Sequence, residues 1–263
     1  MERLNIDQIM EGYQNVGGFK LYFKRTINGS PTVIFDSGLG DDITSWEKIF
    51  PYIASRTSAL VYDRAGIGKS DFSLYSRSAE QVAQELHTLL KELKINPPYI
   101  LVGHSLGGWH IRVFAGLYPK EVCGLLLIDP QEISFYKEWK RMYPKHFEYE
   151  YQTWLEYFNN SPQGEKLEWE ILKNRIEAPS NPTPTLVDVP TILITSIQKE
   201  ELPTEEGFNP EIRKLKFEIS SKWMSRLNKA TNILKADVGH YIHKEDPALI
   251  RRLIDYLIDI NRE

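Results

Sequence analysis

The chain has 263 residues, 41% of them hydrophobic and 26% charged, enough to bury a full core and unlike disordered or fibrous proteins. A net charge of −4 without a long basic run argues against nucleic acid as a partner. No stretch is apolar enough to span a bilayer and Met1-Glu2-Arg3-Leu4-Asn5 holds no signal core, so the sequence reads as soluble and cytoplasmic with no membrane partner.

Gly12 to Lys24 reads as a β-hairpin, with Phe19-Lys20-Leu21-Tyr22-Phe23 alternating and Gly17-Gly18 at the turn. A second turn, Asn28-Gly29-Ser30-Pro31, leads into the strand Thr32-Val33-Ile34-Phe35, and these first strands are expected to pair antiparallel at one sheet edge. Asp36-Ser37-Gly38-Leu39-Gly40 is a Gly-rich loop placed directly after a strand. A helix over Asp42 to Ala54 and a strand over Ser58 to Tyr62 follow.

That strand ends in Asp63-Arg64-Ala65-Gly66-Ile67-Gly68-Lys69-Ser70, whose glycines and lysine lack the Gly-x-x-x-x-Gly-Lys-Ser spacing of a phosphate loop. Asp63 and Arg64 are expected to tie a turn there. From Arg77 to Lys94 the pattern is helical, with a Ser78/Gln81 capping box and Val82, Leu86, Leu89, Leu90 and Leu93 on one face. His87 reads as a surface or packing residue of this helix, and Asn96-Pro97-Pro98 ends it.

The apolar run Tyr99-Ile100-Leu101-Val102 then enters Gly103-His104-Ser105-Leu106-Gly107, which is followed by an amphipathic segment from Gly108. Strand, sharp turn and helix are the parts of a nucleophile elbow, in which the serine occupies strained backbone at the apex and a helix N-terminus faces it. Ser105 is therefore a candidate nucleophile, and His104 and His110 read as packing beside it. Cys123 opens the apolar run Val122 to Ile128; without a partner it reads as a small buried hydrophobe. The run has the pattern of a central parallel strand and ends at Asp129-Pro130, where functional side chains of open α/β sheets gather.

Composition changes at Gln131. Trp139, Tyr143, Phe147, Tyr151, Leu155 and Phe158 recur at helical spacing, with Pro144 at a helix start, which predicts a helical insertion over 131–186 between core segments 1–130 and 187–263. Its rings are expected to dock a lid onto the body, and some of them to line an apolar pocket. The strand Val189 to Thr195, a helix over Phe208 to Leu227 and a short strand at Ile233-Leu234 precede Val238-Gly239-His240-Tyr241-Ile242-His243. Asp246 caps a closing helix with Pro247 at its first position.

Four landmarks stand in one order: Ser37-Gly38-Leu39-Gly40, the Asp63 to Ser70 loop, Gly103-His104-Ser105-Leu106-Gly107-Gly108, and Gly239-His240 followed by Asp246-Pro247. Together they resemble the α/β-hydrolase superfamily over nearly the whole chain except the insertion. The resemblance implies a mostly parallel eight-stranded α/β sheet flanked by helices, a helical cap after strand six, and a Ser, acid, His triad in that chain order. Ser105 would be the nucleophile and His240, which follows the glycine, its general base, with His243 beside the site or at the surface. Backbone N–H groups of Leu39 and Leu106 would form the oxyanion hole. The acid departs from the common pattern: no aspartate follows strand seven, which continues as Ser196-Ile197-Gln198-Lys199-Glu200-Glu201, leaving Asp129 after strand six or Glu200 or Glu201.

The implied activity is a cofactor-independent serine hydrolase acting on a carboxylic ester or related acyl bond of a small apolar substrate, through an acyl-enzyme. Scattered histidines and one cysteine supply no metal cluster. Relatives that hydrolyse epoxides or haloalkanes carry aspartate at the elbow, where this chain has Ser105. Carbon–carbon bond or amide hydrolysis on the same triad, or a ligand-sensing protein on the same body, are the alternatives.

Overall fold

The computed structural model describes residues 9–178, 184–197 and 210–262. Among these, eight strands form one sheet: β1 (Met10–Asn15), β2 (Lys20–Thr26), β3 (Thr32–Asp36), β4 (Ala59–Tyr62), β5 (Tyr99–His104), β6 (Val122–Ile128), β7 (Thr191–Ser196) and β8 (Ala230–Lys235). Their order is β1-β2-β4-β3-β5-β6-β7-β8. β1 and β2 pair antiparallel, as the hairpin pattern predicts, and β2 meets β4 antiparallel. β3 departs from the expected antiparallel edge: it lies inside the sheet, parallel to both β4 and β5. Its five residues are all buried, so a continuous Val-Ile-Phe run is the signature of a strand covered on both faces.

The period of two along each strand divides the core into two layers. In β5 and β6, Leu101, Leu125 and Leu127 pack on one face of the sheet and Ile100, Val102, Leu126 and Ile128 on the other. The first layer is closed by α2 (Ala79–Glu92) and α3 (Leu106–Leu117), the second by α1 (Phe50–Arg56) and α9 (Pro247–Asp259). α9 turns Ile250, Ile254, Leu257 and Ile258 inward, each fully buried aliphatic side chain contributing about 1.5–3 kcal/mol. Asp246 starts it by accepting the N–H of Leu249 at 3.1 Å. Ser78 likewise accepts the N–H of Gln81, but the Gln81 amide turns to Glu85 rather than back to the cap, so only half of the predicted capping box forms.

The helix expected over Asp42 to Ala54 is two pieces, a 3-10 turn (Ile43–Trp46) and α1. Pro51 explains the break, because it lacks an N–H and fits only in the first turn of a new helix.

Among the described residues three helices stand between β6 and β7: α4 (Ile133–Met142), α5 (Pro144–Asn160) and α6 (Gln163–Glu177). Pro144 begins α5, where the sequence places a helix start. Trp154 sets its ring edge-on to Trp139 and Trp169 at centroid distances of 5.8 and 6.0 Å. The start of α6 meets the loop after β4 backbone to backbone. A Cβ at Gly164 would fall 1.8 Å from the Gly66 carbonyl oxygen, so only glycine permits this approach. α7 (Pro210–Met224) connects β7 to β8, and α8 (Ile242–Glu245) is a single turn before α9. Among the described residues no helix is long and apolar enough to cross a membrane.

Candidate active site

Ser105 stands between β5 and α3 with φ 51° and ψ −117°, a conformation that a residue with a Cβ adopts only under strain of about 1–3 kcal/mol. The surroundings hold it there: its N–H donates to the Ile128 carbonyl at 3.0 Å and its own carbonyl accepts from Gln131 N–H at 2.9 Å. α3 can start this abruptly because Gly107 lies on the end of β3. A Cβ there would sit 2.3 Å from the Asp36 carbonyl oxygen and 2.5 Å from that of Ser37. Leu106 is the first residue of the helix, so its N–H has no intrahelical acceptor and adds to the positive end of the dipole. Gln131 directs its side-chain amide at Ser105 Oγ at 3.5 Å and is held by the Tyr136 hydroxyl.

Asp129 follows β6 with φ 41° and is completely buried. Its Oδ2 accepts the Nδ1–H of His240 at 2.5 Å, and its Oδ1 accepts from Lys216 Nζ on α7 at 2.9 Å. Arg213 lies 3.7 Å from Oδ2. Burial on its own raises this carboxyl, but the Lys216 ammonium, the bond from His240 and Arg213 outweigh it and hold the acid well below the ordinary carboxylate range. A carboxylate only accepts, so in this bond the proton is on Nδ1 and Nε2 is the ring nitrogen that does not face Asp129. Among the three candidate acids, Asp129 is thus the one found on His240; Glu200 and Glu201 lie outside the described residues.

His104 and His243 are buried behind His240, their rings 4.6 and 4.3 Å apart in the succession His240–His104–His243. His104 donates from Nε2 to the His240 carbonyl at 3.1 Å, which ties the loop carrying His240 to the elbow strand. Burial, with His243 and His240 nearby, pushes the His104 imidazole well below its usual value. His243 shares a 3.0 Å hydrogen bond with Ser45 Oγ, and burial followed by Lys244 and His240 pushes it down to about 3. It is an interior residue, not a surface one. His110 packs near Asp36, and His87 stacks on Tyr118 and bonds Glu121. Cys123 is half-buried, and burial raises its thiol to about 11.

Ser105, His240, Gln131 and Leu39 line one cavity of about 450 Å³. Its far walls are rings from the insertion, among them Phe135, Tyr136, Trp139, Trp154, Phe158 and Trp169. The site therefore combines a strained serine, a carboxylate-held imidazole and an aromatic chamber. Among the described residues no three His, Cys, Asp or Glu side chains converge where they could hold a metal ion. The sequence reading missed Lys216 and Gln131. Lys216 was detectable as a cation between Ile212 and Ile219 on the buried face of its helix.

The sequence model of the alpha/beta hydrolase fold matches residues 31–203. The chain belongs to the alpha/beta hydrolase fold family. The uncharacterized protein YqjL of Bacillus subtilis is 36% identical over 99 residues, which are 38% of this chain and 39% of that relative. The uncharacterized protein YbdG of the same organism is 30% identical over 128 residues, 47% of this chain and 39% of the relative. The chain thus spans about two fifths of the length of these curated relatives. Among solved alpha/beta hydrolase folds, mouse alpha/beta hydrolase domain-containing protein 10 superposes with a TM-score of 0.66 at 22% identity, covering 95% of this chain and 98% of the other. The CarC enzyme, a serine hydrolase involved in carbazole degradation, superposes with 0.69 at 15% identity over 96% and 99%. At these identities the likeness is one of fold.

Proposed function

We propose that the protein is a serine hydrolase that cleaves a carboxylic ester or related acyl bond of a small, largely apolar substrate. The observation that carries this reading is the 2.5 Å bond from His240 Nδ1 to Asp129 Oδ2 beside the strained Ser105, with both His240 and Ser105 on the same cavity. In the proposed reaction His240 Nε2 takes the proton from Ser105 Oγ as the oxygen attacks the carbonyl carbon, and Asp129 stabilises the imidazolium that results. Leu39 and Leu106 N–H groups receive the oxyanion, each such donor being worth about 3 kcal/mol of barrier. The imidazolium then protonates the leaving group, and a water deprotonated by His240 hydrolyses the acyl-enzyme.

The helices of residues 131–186 act in this reading as a cap whose rings surround the apolar part of the substrate and exclude water. An aromatic chamber of this size favours aryl or medium-length acyl groups. Labelling with a fluorophosphonate, followed by turnover of 4-nitrophenyl esters, tests the proposal. Ser105→Ala should abolish both, and a wild-type chain that neither labels nor turns over any ester refutes it.

A further inference from the structure

We propose that Arg64 and Glu168 are positioning residues for the oxyanion site, with Glu168 on α6 acting across the insertion to aim the N–H of Leu39. The proposal rests on the serine-hydrolase reading above. Its geometry begins with Arg64, buried to 2% exposure at the end of β4. Its Nη1 donates to Asp36 Oδ1 and the Ser37 carbonyl, both at 2.7 Å, and its Nη2 to the Gly38 carbonyl at 2.6 Å. The remaining N–H groups grip Glu168, Nε on Oε1 at 2.6 Å and Nη2 on Oε2 at 2.9 Å. All five donors of the guanidinium are engaged, so the fork has one orientation.

The peptide between Gly38 and Leu39 is trans, and in a trans peptide the C=O and the following N–H point to opposite sides. Holding the Gly38 oxygen on Arg64 therefore turns the Leu39 N–H away from the guanidinium, on the loop that lines the cavity with Ser105. The next peptide is held as well, because Gly40 N–H donates to Glu168 Oε2 at 3.0 Å. Leu39 is thus bracketed by two fixed peptide planes, one held through Arg64 and the other by Glu168 directly. Tyr62 completes the cluster by donating to Asp36 Oδ2 at 2.9 Å.

Stability alone does not account for this arrangement. Apolar residues of equal volume commonly stabilise a fold as well as a buried ion pair does, or better. What they cannot do is fix the direction of a backbone N–H. Three of the hydrogen bonds made by Arg64 and Glu168 go to the main chain of residues 37, 38 and 40, on either side of the proposed donor. Trp169, adjacent to Glu168 in α6, also lines the cavity, so a substrate resting on that ring rests on the turn of helix that holds the loop.

The test uses the full chain with Glu168→Gln, Arg64→Lys and, should either fail to fold, the triple variant Asp36→Asn, Arg64→Met, Glu168→Met, which removes the three charges together. On 4-nitrophenyl esters we expect kcat to fall 10- to 100-fold with KM within about threefold. Affinity for an aryl trifluoromethyl ketone, which forms an oxyanion on the serine, should fall in parallel, while affinity for the product carboxylic acid stays within about threefold. A folded variant that keeps the wild-type kcat overturns the proposal. So does an equal loss of affinity for ketone and product, which marks general damage to the pocket. Fluorophosphonate labelling of wild type separates the two failures: wild type labelled with variants unimpaired sinks only the positioning role, whereas wild type unlabelled and inactive sinks the hydrolase reading beneath it.

Discussion

His240 Nδ1 lies 2.5 Å from Asp129 Oδ2 although 111 residues separate them, which sets a carboxylate at the end of β6 against the imidazole. Asp129→Asn keeps the shape but can donate where the carboxylate accepted, so the imidazole is driven toward the wrong tautomer. We expect kcat on 4-nitrophenyl esters to drop by about 10³–10⁴-fold with the fold intact. Glu200→Gln should leave turnover unchanged; the opposite pattern would move the acid to the segment after β7.

Lys216 is the strongest cationic partner of Asp129, bonded to the carboxylate oxygen that does not face His240. Lys216→Met leaves a buried carboxylate short of a partner and free to turn. Thermal unfolding should show a loss of about 3 kcal/mol, roughly 6–12 °C in Tm, and steady-state kinetics a kcat reduced about 10-fold or more. A variant with unchanged Tm and kcat would assign the charge no part in holding the acid.

His243 makes stability fall in mild acid. Its folded-state value of about 3 lies below the ordinary 6.5, so the unfolded chain binds the proton first as pH drops. The contribution is intact above pH 6.5 and is lost progressively between 6.5 and about 3. From pH 7 to pH 5 the loss is on the order of 2 kcal/mol. Denaturant melts at the two pH values should show it, and His243→Gln, whose amide can still meet Ser45 Oγ, should flatten the dependence. His104, also pushed down by burial, will leave a residual slope of the same sign.

Trp154 lines the aromatic chamber with its ring edge-on to Trp139. Trp154→Ala should shift the acyl preference toward longer chains, each newly buried methylene adding about 0.8 kcal/mol, or about fourfold in kcat/KM. A graded series of 4-nitrophenyl esters reads this directly. An unchanged chain-length profile would place the acyl group elsewhere.

What the sequence discloses and what it hides follow one physical division. The elbow around Ser105, the cap at Asp246, the start of α5 at Pro144 and the apolar run before Asp129 are local matters, decided by neighbours a few residues apart, and each stands where the sequence puts it. The direction of β3 is hidden because a buried strand gives no sign of how its partners run, and the break in the Asp42 to Ala54 segment falls at Pro51, inside an otherwise helical pattern. Arg64 meets Glu168 across 104 residues, and no short-range pattern encodes such a pairing. A faint trace existed: Glu168 shares a buried stripe with Leu172 and Ile176 at steps of four, an odd place for a carboxylate without a buried cation to answer it.

The guanidinium of Arg64, gripped on one side by the body and on the other by α6, also sets the terms for re-engineering this protein. A foreign helical segment grafted in place of residues 131–186 would leave two N–H groups of a buried guanidinium without an acceptor unless it brought an acidic group to the same spot. For grafting, the two parts are a lock and its key, and a chimera library that ignores residue 168 will consist largely of molecules that fold poorly.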